Sequence, residues 1–370
     1  MEIKNGGLST EGDKKKFFMQ NKNILILILS LFILMGLVLG FYFFKKGSIS
    51  FGENGGDNYQ GSLFKNNYVW GGAMNLAWND LNENVLHEKL KIKSSDPIAL
   101  SSAEKFNNTS FSKKDLDEAS YYIKSGYGPE TVMKINQESR QKFTNKSFGD
   151  LSTNLGPKDI IAFAYFLKQV EYPTAFTKGK VSFSGVDVKG FFAGGRTQKD
   201  NVQIIQYEND DKFIISLKLK DENDELILAK GFDMNGPKEV VNKINSILLF
   251  SPKSIGENDL FEGPKLHLDH SRDYTELINK ELNNQNFTNY FITGMSENIK
   301  FDMDEKGARV ENRGGISVAA AIDPEPIKIK KFILDKPYWV VMKRKNSKNP
   351  YFLLGVNNTE LMEKSAESNY

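Results

Sequence analysis

The three histidines of the chain, His87, His267 and His270, are the side chains best suited to acid–base or metal chemistry at neutral pH. His267 and His270 flank Leu268 and Asp269, so this short segment could supply metal ligands. On a strand, however, alternate side chains face opposite ways, and His270 would point away from His267 and Asp269. Because no third ligand lies nearby in the sequence, we predict no metal site.

Other signatures of catalysis are weak. The glycine-rich segment 190–195 is not followed by the Lys-Ser/Thr pair of a P-loop, and no serine has the G-x-S-x-G surroundings of a hydrolase nucleophile. The chain has no cysteine, which excludes disulfides, thiolate metal sites and a cysteine nucleophile. We therefore predict a protein that is not an enzyme and that holds no cofactor.

The composition favours a sizeable folded region and argues against nucleic acid as a partner. The 370 residues fit one large domain or two ordinary ones, and a hydrophobic content of 39% can build a core. Lys and Arg number 49 against 47 Asp and Glu, so the basic excess that nucleic-acid-binding proteins usually show is missing.

An uncharged apolar run predicts a membrane anchor. Residues 23–44 carry no charge from Ile24 to Phe44 and, at about 1.5 Å per residue, can cross a hydrocarbon core about 30 Å thick. The run is longer than the apolar part of a cleaved signal peptide, and no small-residue cleavage site follows it. The lysines before the run favour a cytoplasmic N-terminus and an extracytoplasmic main domain. An uncleaved export signal is the alternative interpretation.

Composition divides the chain into five parts. We predict a cytoplasmic polar tail at 1–22, the anchor at 23–44, a glycine-rich flexible linker at 45–62, one domain at 63–359 and a polar tail at 360–370.

Hydrophobic periodicity predicts an α+β domain, with helices mostly in the first half and strands in the second. The predicted helices are 69–90, 113–122, 237–249 and 274–282. The predicted strands are 158–170, which reads as buried on both faces, 176–188, 202–207, 213–219 paired with 225–229, 266–269, 338–342 and 351–356.

The segment 301–356 carries the most specific pattern. A hydrophobic strand runs into the acidic turn 302–307, and a long segment of mixed polarity with Gly, Ala and Pro follows. The two apolar strands 338–342 and 351–356 then come with a polar turn between them.

This order of strand, DEKG turn, long exposed loop, KPY strand and GVN strand resembles the C-terminal end of serpins. Segments 159–188 and 264–282 are similar to serpin segments in the same order, and 69–90 is a weaker match. Together they reach over much of residues 69–356. The resemblance implies a serpin-like fold of helices and large mixed β-sheets with an exposed reactive-centre loop, preceded here by one transmembrane helix.

The resemblance also implies a mechanism. In serpins a target protease cleaves the exposed loop, which then inserts as a new strand in the large sheet and drags the bound acyl-enzyme with it. The partner of this chain would be a serine or cysteine protease, and the chemistry would belong to that protease. Glu305 and Gly307 match the Glu and Gly of the family's hinge, and Ala308 stands where a Thr is usual.

The residues after the hinge allow two loop registers. Charged residues follow Ala308 where inhibitory serpins favour small ones; on a strand they could face solvent while their neighbours face the core. The charged set is Arg309, Glu311 and Arg313, and the inward set is Ala308, Val310, Asn312 and Gly314. The family's usual distance from the hinge Glu then places the scissile bond at Ala321–Ile322, which would suit an elastase-like protease. The second register uses Gly315 and 319–321 as the hinge and puts the bait at Lys328, Lys330 and Lys331, which would suit a trypsin-like protease.

Positions that control sheet opening in serpins depart from the family. Gly71 and Gly72 stand where serpins have Ser-Pro, Phe163 stands in the place of an Asn of the long central strand, and Glu297 or a neighbour takes the place of a His. We therefore expect the polar partners to be absent together, which is self-consistent because a buried polar network is useful only when every member is satisfied.

Two function hypotheses follow. The first is a membrane-tethered serpin-like inhibitor of an extracytoplasmic serine or cysteine protease. The second is a non-inhibitory serpin-fold binding or structural module at the cell surface, favoured by the charged hinge and the missing polar partners.

Overall fold

An eight-stranded sheet forms the centre of the described chain, which in the computed structural model comprises residues 59–144, 149–152, 154–247, 252–308 and 329–365. These residues all belong to one unit, Gly55–Tyr370. The strands, in chain order, are β1 (Ser62–Phe64), β2 (Asn67–Gly71), β3 (Ile92–Lys93), β4 (Tyr121–Tyr127), β5 (Ile160–Phe166), β6 (Val170–Glu171), β7 (Thr177–Phe183), β8 (Val186–Phe192), β9 (Val202–Asn209), β10 (Lys212–Leu217), β11 (Asp224–Lys230), β12 (Lys253–Ser254), β13 (Leu260–Pro264), β14 (Leu266–Asp273), β15 (Glu281–Leu282), β16 (Ser296–Met303), β17 (Gly307–Ala308), β18 (Lys331–Ile333), β19 (Tyr338–Arg344) and β20 (Pro350–Val356).

Helices are fewer than strands among these residues. They are α1 (Ala73–Leu81), which continues as a π-helical turn Asn82–Leu86, α2 (Pro97–Asn107), α3 (Gly128–Lys142), α4 (Arg196–Lys199) and α5 (Lys238–Ile247), with 3-10 turns at Lys113–Asp115, Glu118–Ser120 and Thr359–Leu361. The start of α2 follows from local sequence: Asp96 accepts a hydrogen bond from the amide of Ile98 at 2.9 Å, and Pro97 occupies the first helical position.

The eight-stranded sheet has the order β1-β2-β20-β19-β11-β10-β9-β12, with every neighbouring pair antiparallel. Its adjacent strands β20 and β19 are buried almost throughout; β20 is an apolar run over its whole length, and β19 is apolar from Tyr338 to Met342. Uninterrupted hydrophobicity is expected of strands covered on both faces. The first long strand, β2, and the last, β20, are neighbours in this sheet.

A four-stranded sheet, β18-β13-β8-β7, packs its aromatic side chains into the same core. Residues 363–365 lie along β8 of this sheet. The amide of Lys189 donates to the carbonyl of Glu363 at 2.8 Å, and the amide of Ser365 donates to the carbonyl of Asp187 at 3.1 Å. The C-terminal segment therefore covers backbone groups of β8 that β13 does not reach.

Four smaller pairings complete the described chain: β4 with β5, β14 with β16, β15 with β3, and β17 with β6. The first two are long antiparallel pairs, and their positions define the site described below.

The α+β prediction is confirmed, and so are the strands at 202–207, 338–342 and 351–356. The helix predicted at 237–249 is confirmed as α5, which spans Lys238–Ile247 in the described residues. The predicted pairing of 213–219 with 225–229 is also confirmed, because β10 and β11 are antiparallel neighbours. Trp70, Trp78 and Trp339 are buried.

Three predicted helices are wrong in whole or in part. Segment 69–90 begins as strand β2, because Gly71 and Gly72 separate its first apolar residues from helix α1. Segment 113–122 contains only two 3-10 turns before β4, although Ser112 and Asp115 form the expected capping box. Segment 274–282 forms turns and the short strand β15.

The packed region is wider than the predicted domain of 63–359. Tyr59 packs edge-on against Trp70 with ring centroids 4.7 Å apart, and Leu361 is buried in the main core. No helix within the described ranges is long and apolar enough to span a membrane. The predicted anchor at 23–44 lies outside these ranges and stays a prediction.

Candidate functional site

A groove separates the two long strand pairs β4–β5 and β14–β16. Strands β5 and β16 line it from opposite sides, and the described residues show no backbone ladder between them. The groove encloses a cavity of about 540 Å³, whose floor includes Gly71, Gly72 and Met74 at the start of α1. The two strands therefore present facing edges, with a space between them that none of the described residues bridges.

The prediction that β5 is buried on both faces is wrong. Its seven residues, all apolar or aromatic, are each only half-buried. The physical reason is that β5 pairs with β4 on one side and faces the groove on the other. Covering the exposed part of such a strand is favourable, because about 25 cal/mol is gained per Å² of apolar surface removed from water.

The hinge residues lie at one end of the groove. Asp304 and Gly307 face each other across a tight turn, with the amide of Asp304 donating to the carbonyl of Gly307 at 2.9 Å. Beyond the turn, Gly307 pairs with Glu171 and Ala308 with Val170. The chain thus reverses after β16 and enters the space between β16 and β6.

This geometry gives the direction of the strands that border the groove. Because β17 runs antiparallel both to the end of β16 and to β6, β6 runs in the same direction as β16. Since β6 closely follows β5 in the chain, a strand continuing from Ala308 down the groove would be antiparallel to both borders.

Glu305 anchors the hinge by charge and by backbone contacts. Its side chain is buried and forms ion pairs with Lys265 and, at 3.4 Å, with Lys178. Burial opposes ionisation of this carboxyl, but the Lys265 ammonium outweighs it and holds the pKa of Glu305 below its usual value. The amide of Phe176 donates to the Glu305 carbonyl at 2.7 Å, so the turn is fixed to the segment after β6.

Glu297 lies at the floor of the groove beside the start of α1. Its carboxyl accepts a hydrogen bond from the Tyr274 hydroxyl at 3.0 Å and faces the amide of Met74 at 3.4 Å. Helix α1 has no side-chain cap of its own, so a carboxylate placed near its first amides is favourable. The guanidinium of Arg272 stacks on the Tyr274 ring at 4.0 Å from the centroid.

The four positions that depart from the serpin pattern lie around this groove. Gly71, Gly72, Phe163 and Glu297 all line it, and a Cβ on Gly71 would lie 3.5 Å from the Glu297 Oε1. Phe163 lies on the opposite border and packs towards Tyr122. The polar network is therefore not simply missing: Glu297, Tyr274 and the start of α1 form a different one. Tyr274 was not singled out from the sequence, because 274–282 was interpreted as a helix.

Burial raises the pKa of Glu297 to about 7, against the smaller opposing effects of the Tyr274 and Met74 hydrogen bonds and of Arg272. The folded state then holds a proton that the unfolded state releases above about pH 4.5, so stability falls as pH rises from there to about 7. We expect Glu297→Gln to remove this fall, which amounts to about 3 kcal/mol. Urea unfolding of both proteins at pH 5 and pH 8 measures it: the variant should gain stability over the wild type only at pH 8. Parallel pH profiles for the two proteins would contradict the assignment.

The predicted bait residues are divided between described and undescribed parts of the chain. Ala321, Ile322 and Lys328 lie outside the described residues. Lys331 begins β18, and the carbonyl of Lys330 accepts from the amide of Leu260 at 3.0 Å. Lys330 and Lys331 are therefore attached to the edge of the four-stranded sheet, and both loop registers stay predictions.

The histidines do not form a metal site with neighbouring groups. His267 pairs with Asp302, with 2.5 Å between Nδ1 and Oδ1, while His270 is largely buried and contacts the Ser62 hydroxyl at 2.9 Å. The described part of the chain contains no cluster of three or more His, Asp or Glu suited to a metal.

No family model and no curated protein matches the chain. Several solved structures match the chain, and they include the following serpins.

Serpin48 of the insect Tenebrio molitor is 14% identical, with a TM-score of 0.43 over 79% of this chain and 92% of its own. The thermophilic serpin Tengpin in its native state is 14% identical, with a TM-score of 0.46 over 77% of this chain and 86% of its own. A serpin of Schistosoma mansoni is 15% identical, with a TM-score of 0.40 over 61% of this chain and 63% of its own. These likenesses are distant.

Proposed function

We propose that the protein is a serpin-like protease inhibitor that acts by loop cleavage and insertion. The observation that carries the proposal is the unfilled groove between β5 and β16, whose end already holds Gly307 and Ala308. The segment between Ala308 and Lys331 joins this end of the groove to the edge of the four-stranded sheet. Cleavage within the segment would free its first half to move into the groove.

The division of chemistry follows from this arrangement. The target protease supplies the nucleophile, which attacks the carbonyl of Ala321 and forms an acyl-enzyme with the release of Ile322 as the new N-terminus. This chain supplies the bait, the hinge and the space for a new strand. Insertion before hydrolysis carries the acylated protease along the groove and deforms it.

We also propose a membrane anchor at 23–44, a cytoplasmic tail at 1–22 and an extracytoplasmic inhibitory domain. The anchor is supported by the absence of charge from Ile24 to Phe44 and by the lysines that precede it. The target would then be a serine or cysteine protease encountered outside the cytoplasm.

Incubation of the full chain with a protease panel tests the proposal. We expect an elastase-like enzyme to form a complex that survives SDS, with cleavage at Ala321–Ile322, and detergent but not salt to extract the complex from membranes. Ala321→Arg should transfer complex formation to a trypsin-like enzyme, whereas Ala319→Arg, two residues away, should not. Cleavage of the loop by every enzyme with full release of active protease would contradict inhibition.

The second candidate is a serpin-fold binding module that does not inhibit. The specific observation in its favour is the contact of Glu297 with Tyr274 and the start of α1, which holds β16 to the floor of the groove. Clean cleavage without a complex in the same panel would support this candidate.

A further inference from the structure

The four-stranded sheet ends in β7, a strand of seven residues. The other end strands of the two larger sheets, β1, β12 and β18, have only two or three residues each. Proteins usually keep exposed edge strands short, because their unpaired backbone groups can pair with another chain. Within the described residues no strand pairs with the outer side of β7, which makes it the longest free edge of these two sheets.

The hydrogen bonds of Lys189 on β8 show which way the backbone of β7 points. Lys189 lies directly opposite Lys180 of β7. Its amide donates to the carbonyl of Glu363 at 2.8 Å, and its carbonyl accepts from the amide of Lys265 at 2.9 Å, both on the far side of β8. In an antiparallel ladder, opposed residues either exchange both hydrogen bonds or exchange none. The N–H and C=O of Lys180 therefore point to the free edge.

The same direction holds for Lys178 and Ser182, because backbone direction repeats every second residue along a strand. The bonds just beyond the ends of β7 agree, since the amides of Phe176 and Ser184 donate at 2.7 and 2.8 Å to carbonyls outside the sheet. Between these two bonds, the backbone groups of Lys178, Lys180 and Ser182 have no partner among the described residues. The edge thus presents three consecutive binding positions for an extended chain.

The side chains of these three residues are exposed on one face, and the face is basic. Lys180 lies opposite Lys189, and Lys265 follows on the next strand. Lys189 forms an ion pair with Glu363, and Lys265 forms one with Glu305, whereas Lys180 has no ion pair within the described chain. Like charges directly opposite each other are destabilising, so a negative charge beside Lys180 would be favourable.

Lys178 adds a second accessible charge two residues away on the same face. Its ammonium lies 3.4 Å from Glu305, but the side chain is 66% exposed, and Glu305 is also paired with Lys265. The charge of Lys178 therefore remains open to a partner at the edge.

We propose that β7 binds an extended acidic segment of a partner protein by strand addition, with Asp or Glu at alternate positions opposite Lys178 and Lys180. Directly opposed residues share a face, so two acidic residues separated by one other residue meet both lysines. The residue between them lies opposite Gly179, where a Cβ would be 2.8 Å from the Phe192 ring. A β-branched residue at this middle position would therefore meet an aromatic surface.

A second copy of the chain fits this edge poorly. Antiparallel pairing of β7 with itself, centred on Lys180 or between Lys178 and Lys180, places lysines directly opposite each other. Such pairs are destabilising, and lysines on natural edge strands act against edge-to-edge association. An acidic strand turns the same charges into attraction, so the charges select it over a second copy.

This surface goes beyond the proposed function. None of the described residues that line the groove belongs to β7, and a strand added here neither fills the groove nor needs a cut in the loop. Strand β18, which follows the predicted bait, lies at the opposite edge of the sheet and stays free.

Binding of short fluorescent peptides to the full chain tests strand addition. The probe is a peptide of alternating glutamate and threonine, blocked at both ends. N-methylation of a central glutamate removes an N–H that would bond to β7, whereas N-methylation of the neighbouring threonine removes one that points to solvent. Both peptides keep the charge of the probe. We expect the first change to weaken binding at least about tenfold and the second to change it less than about twofold.

Two substitutions separate backbone pairing from charge. Ser182→Pro removes an outward N–H but keeps both lysines, and edge strands tolerate proline where the N–H faces solvent. It should weaken probe binding at least about tenfold, whereas Ser182→Thr should not. Lys180→Glu should abolish binding of the glutamate probe and create binding of a lysine–threonine probe. This variant places opposite charges across β7 and β8, so it is expected to fold. Lys218→Glu, at an exposed lysine after β10, is the matched control and should change neither.

The outcomes decide between strand addition and general attraction. Binding that is lost in Lys180→Glu but insensitive to N-methylation and to Ser182→Pro is the behaviour of any polyanion, and it overturns strand addition. No binding of the glutamate probe at low ionic strength, or equal binding of a peptide of threonine alone, overturns the acidic specificity. No protease is present in these measurements, so their result is independent of whether the chain inhibits.

Discussion

A single cut between Ala308 and Lys331 is expected to raise the melting temperature of the protein by about 15 °C. Strand β16 offers 8 residues along the groove, and an added strand would pair with it on one side and with β5 on the other. Each new hydrogen bond contributes about 0.5–1.5 kcal/mol, so the sum is on the order of 8 kcal/mol. In a chain of this size about 1 kcal/mol shifts the melting temperature by about 2 °C.

Calorimetry before and after limited proteolysis measures the effect, with the cut located by mass spectrometry. Uncut protein taken through the same incubation with an inactivated protease is the control. An unchanged or lower melting temperature would mean that the groove stays unfilled after cleavage. The protein would then be better described as a binding module on a serpin-like scaffold.

Gly307→Val is expected to abolish that rise and to destabilise the uncut protein by about 2–3 kcal/mol. Gly307 has φ +142°, a conformation that side-chain-bearing residues rarely adopt. A Cβ there would lie 2.3 Å from the carbonyl oxygen of Val170 and 2.7 Å from the Cα of Glu171. The substitution must therefore push Gly307 and Ala308 out of the space between β16 and β6.

Gly294→Val is the matched control, because a Cβ at this position just before β16 meets no atom within 4 Å. Urea unfolding of uncut protein and calorimetry of cut protein give the two readouts. If Gly307→Val still gained the full thermal rise, the added strand would have to enter the groove by another route.

The tight turn at 304–307 was predictable from the sequence because its determinants are local. Asp304 and Gly307 are three residues apart, and a glycine after an acidic turn is a short-range signal. The ion pair of Glu305 with Lys265 was not predictable from spacing, since it joins the turn after β16 to the junction of β13 and β14. Lys265 lies in the serpin-like segment 264–282, so a search of that segment for a basic partner of Glu305 could have identified it.

The groove could not be predicted, because apolar sequence does not say when a strand is covered. The run at β5 has the composition of a central strand, and in the described structure it borders an empty space. Helices α2 and α3 were missed although Pro97 and Pro129 mark their first turns. In α3 charged and polar residues outnumber the apolar ones, which weakened the periodic signal.

The adjacency of β2 and β20 has a consequence for how the protein is made. Strand β20 pairs with β2 on one side and β19 on the other, so the centre of the large sheet is incomplete until residue 356 has been synthesised. Pairings between distant segments also slow folding, because the conformational entropy of loop closure is lost before the contacts that offset this loss can form. The emerging chain can pair β2 with β1 early, but the other edge of β2 stays without its partner strand until β20 has been made, so a chain that stops before residue 350 lacks the strand that joins β2 to β19.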